Sequence, residues 1–191
     1  SVFNEWRGAG ASGRGGAVLD SVSFGPQVTD RSIGRGYDDA WTLCTPSFGA
    51  ANTPLATGDP RALRINEWLA SARFTSRNDF IELFNPGNAP VDLAGLLLSD
   101  AVTQPDRFTV PPLSFIEAGG HARFIADSDP GQGPDHLPFH LSSEHGIIRL
   151  GHPSGDTIDV VAYGSQRTDA SQGRSPDGGA RLLEFGTPTP D

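Results

Sequence analysis

From residue 63 onward, apolar side chains recur in short alternating runs separated by turn residues. The stretch 63–70 sets Leu63, Ile65 and Glu67 on one face. In 79–85, Phe80, Glu82 and Phe84 alternate with Ile81 and Leu83, and the run ends at Asn85-Pro86-Gly87. A period of two sends successive side chains to opposite faces, which is the signature of a strand. Further runs occur at 91–98, 107–110, 113–116, 121–126, 146–150, 158–163 and 180–185. Between them lie Pro111-Pro112, Gly119-Gly120, Pro130-Gly131, Pro153-Ser154-Gly155 and Asp177-Gly178-Gly179, all sequences that favour turns. About nine short strands at this spacing predict an all-β sandwich rather than a parallel sheet. No window carries a helical stripe ten residues long.

The chain also repeats itself. Residues 19–43 and 158–182, at a constant offset of 139, agree at eleven of 25 positions. Chance at ordinary residue usage gives about two. The shared positions include Asp20/Asp159, Gln27/Gln166, Asp30/Asp169, Gly34/Gly173, Arg35/Arg174 and Leu43/Leu182. Both copies then run into Thr-Pro, at Thr45-Pro46 and Thr187-Pro188. Residues 1–52 therefore read as the C-terminal half of a first unit, 53–61 as a linker, and 62–191 as a complete second unit. A half unit alone leaves apolar faces and strand edges uncovered. Truncation is the expected explanation. Packing on the complete unit is an alternative, as is completion by another chain through strand exchange or head-to-tail self-association.

Composition adds little to the fold and narrows the function. Formal net charge is -9, from 14 Lys+Arg against 23 Asp+Glu. Such a surface disfavours nucleic acid and anionic membranes as partners. The longest apolar run, residues 93–98, is strand-sized and no membrane span is expected. The single cysteine, Cys44, excludes an intrachain disulfide and reads as a small buried apolar residue. Because the sequence contains no Met, the chain is expected to be a piece of a longer precursor.

The order of motifs resembles a known family. Leu63-Arg64-Ile65-Asn66-Glu67, then Asp79-Phe80-Ile81-Glu82-Leu83-Phe84-Asn85-Pro86-Gly87, resemble the opening of the bacterial lamin tail domain. So do Val91-Asp92-Leu93-Ala94-Gly95 and Leu98-Ser99-Asp100. The family's closing signature is matched by Ser171-Gln172-Gly173-Arg174-Ser175-Pro176-Asp177-Gly178 and Thr187-Pro188-Thr189-Pro190, and again by Ser32-Ile33-Gly34-Arg35 with Thr45-Pro46-Ser47. Two positions depart from the family pattern. Leu96 stands where an aromatic is common, and the Trp after the Asp-Gly turn survives as Trp41 in the first copy but is replaced by Ala180-Arg181 in the second. The resemblance implies an immunoglobulin-like β-sandwich without catalytic machinery, used as an accessory module of exported, multidomain bacterial proteins. Secretion or display at the cell surface is implied with it, and protein or carbohydrate as the partner class. An appendage of a secreted nuclease or phosphatase, and nucleic-acid binding by analogy with lamins, are the alternative functions.

Candidate chemistry is sparse, and no catalytic residue or cofactor is expected. Gly8-Ala9-Gly10-Ala11-Ser12-Gly13 fits a phosphate-cradle pattern, but no buried strand precedes it and no helix comes after it, so a flexible turn is expected. All five histidines lie between His121 and His152, at strand ends and in loops, and Pro138 breaks the one helix-like spacing. Asp127, Asp129 and Asp135 pack three carboxylates into one loop. A hard cation such as calcium suits such ligands, although the loop lacks an EF-hand register and a solvated acidic loop is the preferred reading. Glu82 lies between Ile81 and Leu83, and a buried carboxylate needs a partner. Arg174, in the closing signature, is expected to supply it as a structural salt bridge.

Overall fold

The computed structural model describes residues 8–12, 18–73 and 78–190, with side chains described from Val18 onward. In chain order the first strands are β1 Gly8–Ser12, β2 Val18–Ser23, β3 Ser32–Arg35, β4 Trp41–Thr45 and β5 Thr53–Pro54. A 3-10 turn at Pro60–Ala62, capped by the Asp59 side chain, leads to β6 Arg64–Leu69 and β7 Phe80–Phe84. Then come β8 Val91–Asp92, β9 Leu97–Ser99, β10 Phe108–Thr109, β11 Phe115–Ile116 and β12 His121–Ile125. The chain closes with β13 Gly146–Gly151, β14 Thr157–Tyr163, β15 Ser171–Arg174 and β16 Leu182–Phe185.

Residues 62–190 form the two-layer body. One sheet has the order β12-β7-β6-β15-β16 and the other β10-β9-β13-β14, with β8 and β11 forming a short pair beside them. All of these ladders are antiparallel. Ile65, Trp68, Ile81, Leu83 and Phe124 of the first sheet share one core with Leu98, Ile148, Leu150 and Val161 of the second. Facing apolar layers of this kind define a β-sandwich. The fold is the immunoglobulin-like, all-β class expected, with eleven strands in the complete unit rather than about nine. One added strand arises because Gly95, at φ +76, breaks the run 91–98 into β8 and β9. The other is Ser171–Arg174, a polar segment that the hydrophobic pattern does not mark.

A bulge in β6 decides which of its side chains reach the core. Ile65 pairs with Leu83 and Glu67 with Glu82, leaving Asn66 as an extra residue. Ile65 and Trp68 therefore both enter the core, while Asn66 and Glu67 both leave it. This corrects the expectation that Glu67 shares a face with Leu63 and Ile65.

The first unit copies the closing half of the second at the level of register. Ala9 pairs with Val22 as Ile148 does with Val161, and Ala11 with Asp20 as Leu150 does with Asp159. The same irregularity occurs at Ala11/Ser12 and at Leu150/Gly151. Asp30 and Asp169 both adopt φ 57. The glycine-rich stretch expected to be a flexible turn is thus strand β1 over Gly8–Ser12, since pairing with β2 satisfies its backbone. The copies diverge after β3. Ser32 pairs with Cys44 but Ser171 with Phe185, so the second turn is longer and Leu182, opposite Arg174, occupies the place of Trp41, opposite Arg35. The Leu43/Leu182 match at offset 139 is therefore not a structural equivalence.

The half unit leans on the complete one. Phe115 is buried with Val28 and Leu43, and Leu55 and Leu113 pack against them. The Phe115 N–H donates to the Pro26 carbonyl at 2.8 Å, and the Gln27 amide donates to the Leu113 carbonyl at 2.6 Å. Residues 53–61 are tied into the body: Leu55 N–H donates to Leu43 O at 2.9 Å and Gly58 N–H to Pro90 O at 2.8 Å. Part of the face expected to be bare is thereby covered by the body.

Candidate functional site

Arg174 and Asp159 form a largely buried charged contact in the complete unit. The guanidinium meets both Asp159 carboxylate oxygens, at 3.2 and 3.0 Å. The two side chains are 12% and 13% exposed. Between them they grip one residue of β6: Asp159 accepts the Ile65 N–H at 2.9 Å, and Arg174 Nε donates to the Ile65 carbonyl at 2.8 Å. Arg174 also donates to the Gly179 carbonyl at 2.7 Å. The clamp satisfies three backbone groups in one place and leaves neither charge isolated. Gly173 belongs to the same arrangement, because a Cβ there would meet the Asn66 carbonyl at 2.6 Å.

The expected Glu82–Arg174 bridge is not what the structure forms. Glu82, Glu67 and Gly173 lie in one cross-strand row, so Glu82 is on the outer face of the sheet. Arg174, one residue further along, points the other way. Glu82 is 2% exposed and accepts a hydrogen bond from the Asn66 amide at 3.1 Å, with His121 Nε2 4.0 Å away. Asn66 also binds the closing turn, donating to Asp177 at 3.1 Å and accepting the Gly178 N–H at 3.0 Å. Glu67 accepts from Ser171 Oγ at 2.6 Å and from the Thr189 hydroxyl at 2.8 Å. Glu67 directly, and Glu82 through Asn66, fasten the closing segment over the sheet. Sequence reasoning found Glu82 as a buried acid but missed Asp159, whose signal was its identity with Asp20 in the repeat.

The carboxylates of the acidic loop are spread over protein partners. Asp127 contacts His136 Nδ1 at 2.7 Å and accepts from Asn78 at 3.3 Å. Asp129 accepts from the Gln132 amide at 2.9 Å. Asp135 is buried, and its carbonyl accepts the Ile125 N–H at 2.8 Å. Among the described residues no three His, Cys, Asp or Glu side chains converge as a metal-binding group. The carboxylates of Asp127 and Asp129, calcium candidates in the sequence, are instead engaged by protein partners. The other histidines are dispersed, His140 against the Ala126 carbonyl and His152 against Ser154.

Burial sets the titration of a few groups. It pushes the Tyr163 hydroxyl, on a ring 5.9 Å from that of Trp68, up to about 12. Burial likewise raises Asp79 and Asp92 above the usual carboxylate range. The Ser154 hydroxyl, followed by Arg61, lowers Asp156.

An open cleft lies on the first unit. The cleft, of about 400 Å³, is bounded by Tyr37, Asp38, Trp41, Thr42 and Pro54. Gly36 N–H donates to Ala40 O at 2.8 Å, which closes the β3–β4 turn and sets the cleft's rim. Tyr37 is 90% exposed. The Arg35 guanidinium lies over the Trp41 ring, 4.6 Å from its centroid. Aromatic faces beside carboxylates can hold a ligand that is apolar on one side and hydroxylated on the other. The sequence signal was the pairing of Tyr37 and Trp41 around Asp38-Asp39, which the second copy lacks.

A model of the lamin tail domain family matches residues 56–165, which is more than half of the chain. No curated protein and no solved structure matches it. The matched span covers the opening strands and the β13–β14 hairpin and stops before β15.

Proposed function

Because the chain belongs to the lamin tail domain family, we propose that it serves as a non-catalytic binding or structural module of an exported, multidomain bacterial protein. Its partner class is carbohydrate or protein, met through the first unit. The observation that carries this reading is the Tyr37–Trp41 cleft. It stands on the half of the molecule where Val18, Leu19, Tyr37 and Phe48 are all exposed.

For the cleft itself, a neutral sugar fits better than a cation. The Arg35 guanidinium lies over one face of Trp41, so a ligand cation on the other would meet a like charge across the ring. A sugar ring would lay its C–H face on the aromatics and direct hydroxyls at Asp38. The exported setting is carried by the family resemblance.

The test is a polysaccharide and glycan binding screen of the whole chain, followed by calorimetry on any ligand retained. Trp41→Ala is expected to weaken binding by about tenfold or more, as for loss of an aromatic anchor. Retention that is unchanged in Trp41→Ala, or a screen without any ligand, would count against the cleft.

A further inference from the structure

The two copies of the closing strands differ in one partner. In the complete unit β15 lies between β16 and β6. Ile65 at the start of β6 is gripped by Asp159 through its N–H and by Arg174 through its carbonyl. In the first unit the equivalent residues, Asp20 and Arg35, stand 3.7 Å apart and are 59% and 41% exposed. Among the described strands, β3 pairs with β4 alone and forms the edge of its sheet. Gly34 repeats Gly173, the residue whose missing side chain lets the β6 backbone cross. An amide already lies over Gly34: a Cβ there would meet the Asn52 side chain at 2.7 Å, as one on Gly173 would meet the Asn66 backbone. The far end of that place is filled, because Gln27 binds the Leu113 carbonyl where Gln166 binds the Ala70 N–H and the Trp68 carbonyl.

We propose that the β3 edge, with Asp20 and Arg35, accepts an extended polypeptide strand in the near part of the place that β6 holds in the complete unit, where it displaces the Asn52 side chain from over Gly34 and stops short of Leu113. The occupant is a strand of the lamin-tail opening type, like Arg64–Leu69. Recognition is through the main chain: Asp20 takes an N–H, Arg35 donates to a carbonyl, and the edge supplies ladder hydrogen bonds. A folded second copy is a poor donor, because its own β6 is flanked by β7 and β15. The partner therefore offers an uncommitted strand. This assignment adds a second surface to the module reading and shares no ligand with the Tyr37–Trp41 cleft.

The probe is a fluorescein-labelled peptide of residues 62–71, titrated against the 191-residue chain by anisotropy. Saturable binding is expected. Asp20→Ala should weaken it by about tenfold or more, the size of a lost charge-assisted hydrogen bond. Methylating the peptide nitrogen at the Ile65 position should do the same against the unaltered chain, so the outcome does not hang on one variant's folding. Absence of saturation at millimolar protein would overturn the proposal. So would affinity indifferent to both changes, because the peptide would then sit elsewhere, exchange with β6 included. Sugar binding scored separately distinguishes failure of this edge from failure of the module reading.

Discussion

Arg35 and Arg174 occupy the same place in two copies, yet their surroundings give them different energies. Arg174 and Asp159 are both largely buried, so removing one leaves an unpaired charge. Arg174→Ala is expected to cost about 3–5 kcal/mol in urea denaturation. Arg35→Ala, breaking an exposed pair, should cost no more than about 1 kcal/mol. Equal losses would mean that burial does not distinguish the two. Tyr163 offers a pH test. Its folded value, about 12, lies above the ordinary 10.0, so its neutral form favours the folded chain. That contribution is complete below pH 10 and is lost as the pH rises towards 12. In Tyr37→Phe, where Tyr163 is the sole tyrosine, absorbance at ~295 nm should report ionisation near pH 12. Ionisation at 10 would show the ring to be solvated. At this scale the sequence showed which side chains are buried better than which ones meet. Glu82 is readable as a buried acid from its apolar neighbours. Its separation from Arg174 depends on which face of β15 the guanidinium leaves, and a polar strand gives no alternation from which to read that.

Among the elements, the strands with apolar alternation were legible and the polar ones were not. Residues 79–85 and 158–163 appear within a residue or two as β7 and β14. Ser171–Arg174 was read only as a signature, because Ser, Gln, Gly and Arg carry no hydrophobic period. The bulge at Asn66 was equally silent, since one inserted residue shifts the face of everything around it. The segment through β11 has a second role that its own sequence hides. Ile116 enters the main core while Phe115 turns outward into the first unit. Phe115→Ala should cost about 3–5 kcal/mol, mostly from the first unit. Hydrogen exchange should then quicken at β3 and β4 and stay unchanged at β13 and β14. Uniform quickening would mean that the two units do not separate energetically.

For the molecule as a whole, the repeat was the most informative feature of the sequence. It named Asp20, Gln27 and Arg35 before their counterparts were seen in place. What it could not show was that the body lends Phe115 to the half unit, because that contact joins residues without sequence kinship. The acidic net charge disfavours nucleic acid, and the cleft and strand edge are the surfaces proposed for a partner. All of this depends on strands β1 to β3 repeating β13 to β15 in the same register. Nuclear magnetic resonance of the isotope-labelled chain tests that most directly, through backbone proton contacts across the two hairpins. Contacts should join Ala9 to Val22 and Ala11 to Asp20, matching those from Ile148 to Val161 and from Leu150 to Asp159. A β1–β2 hairpin paired one or two residues out of that register, or no cross-strand contacts from 8–12 at all, would contradict it.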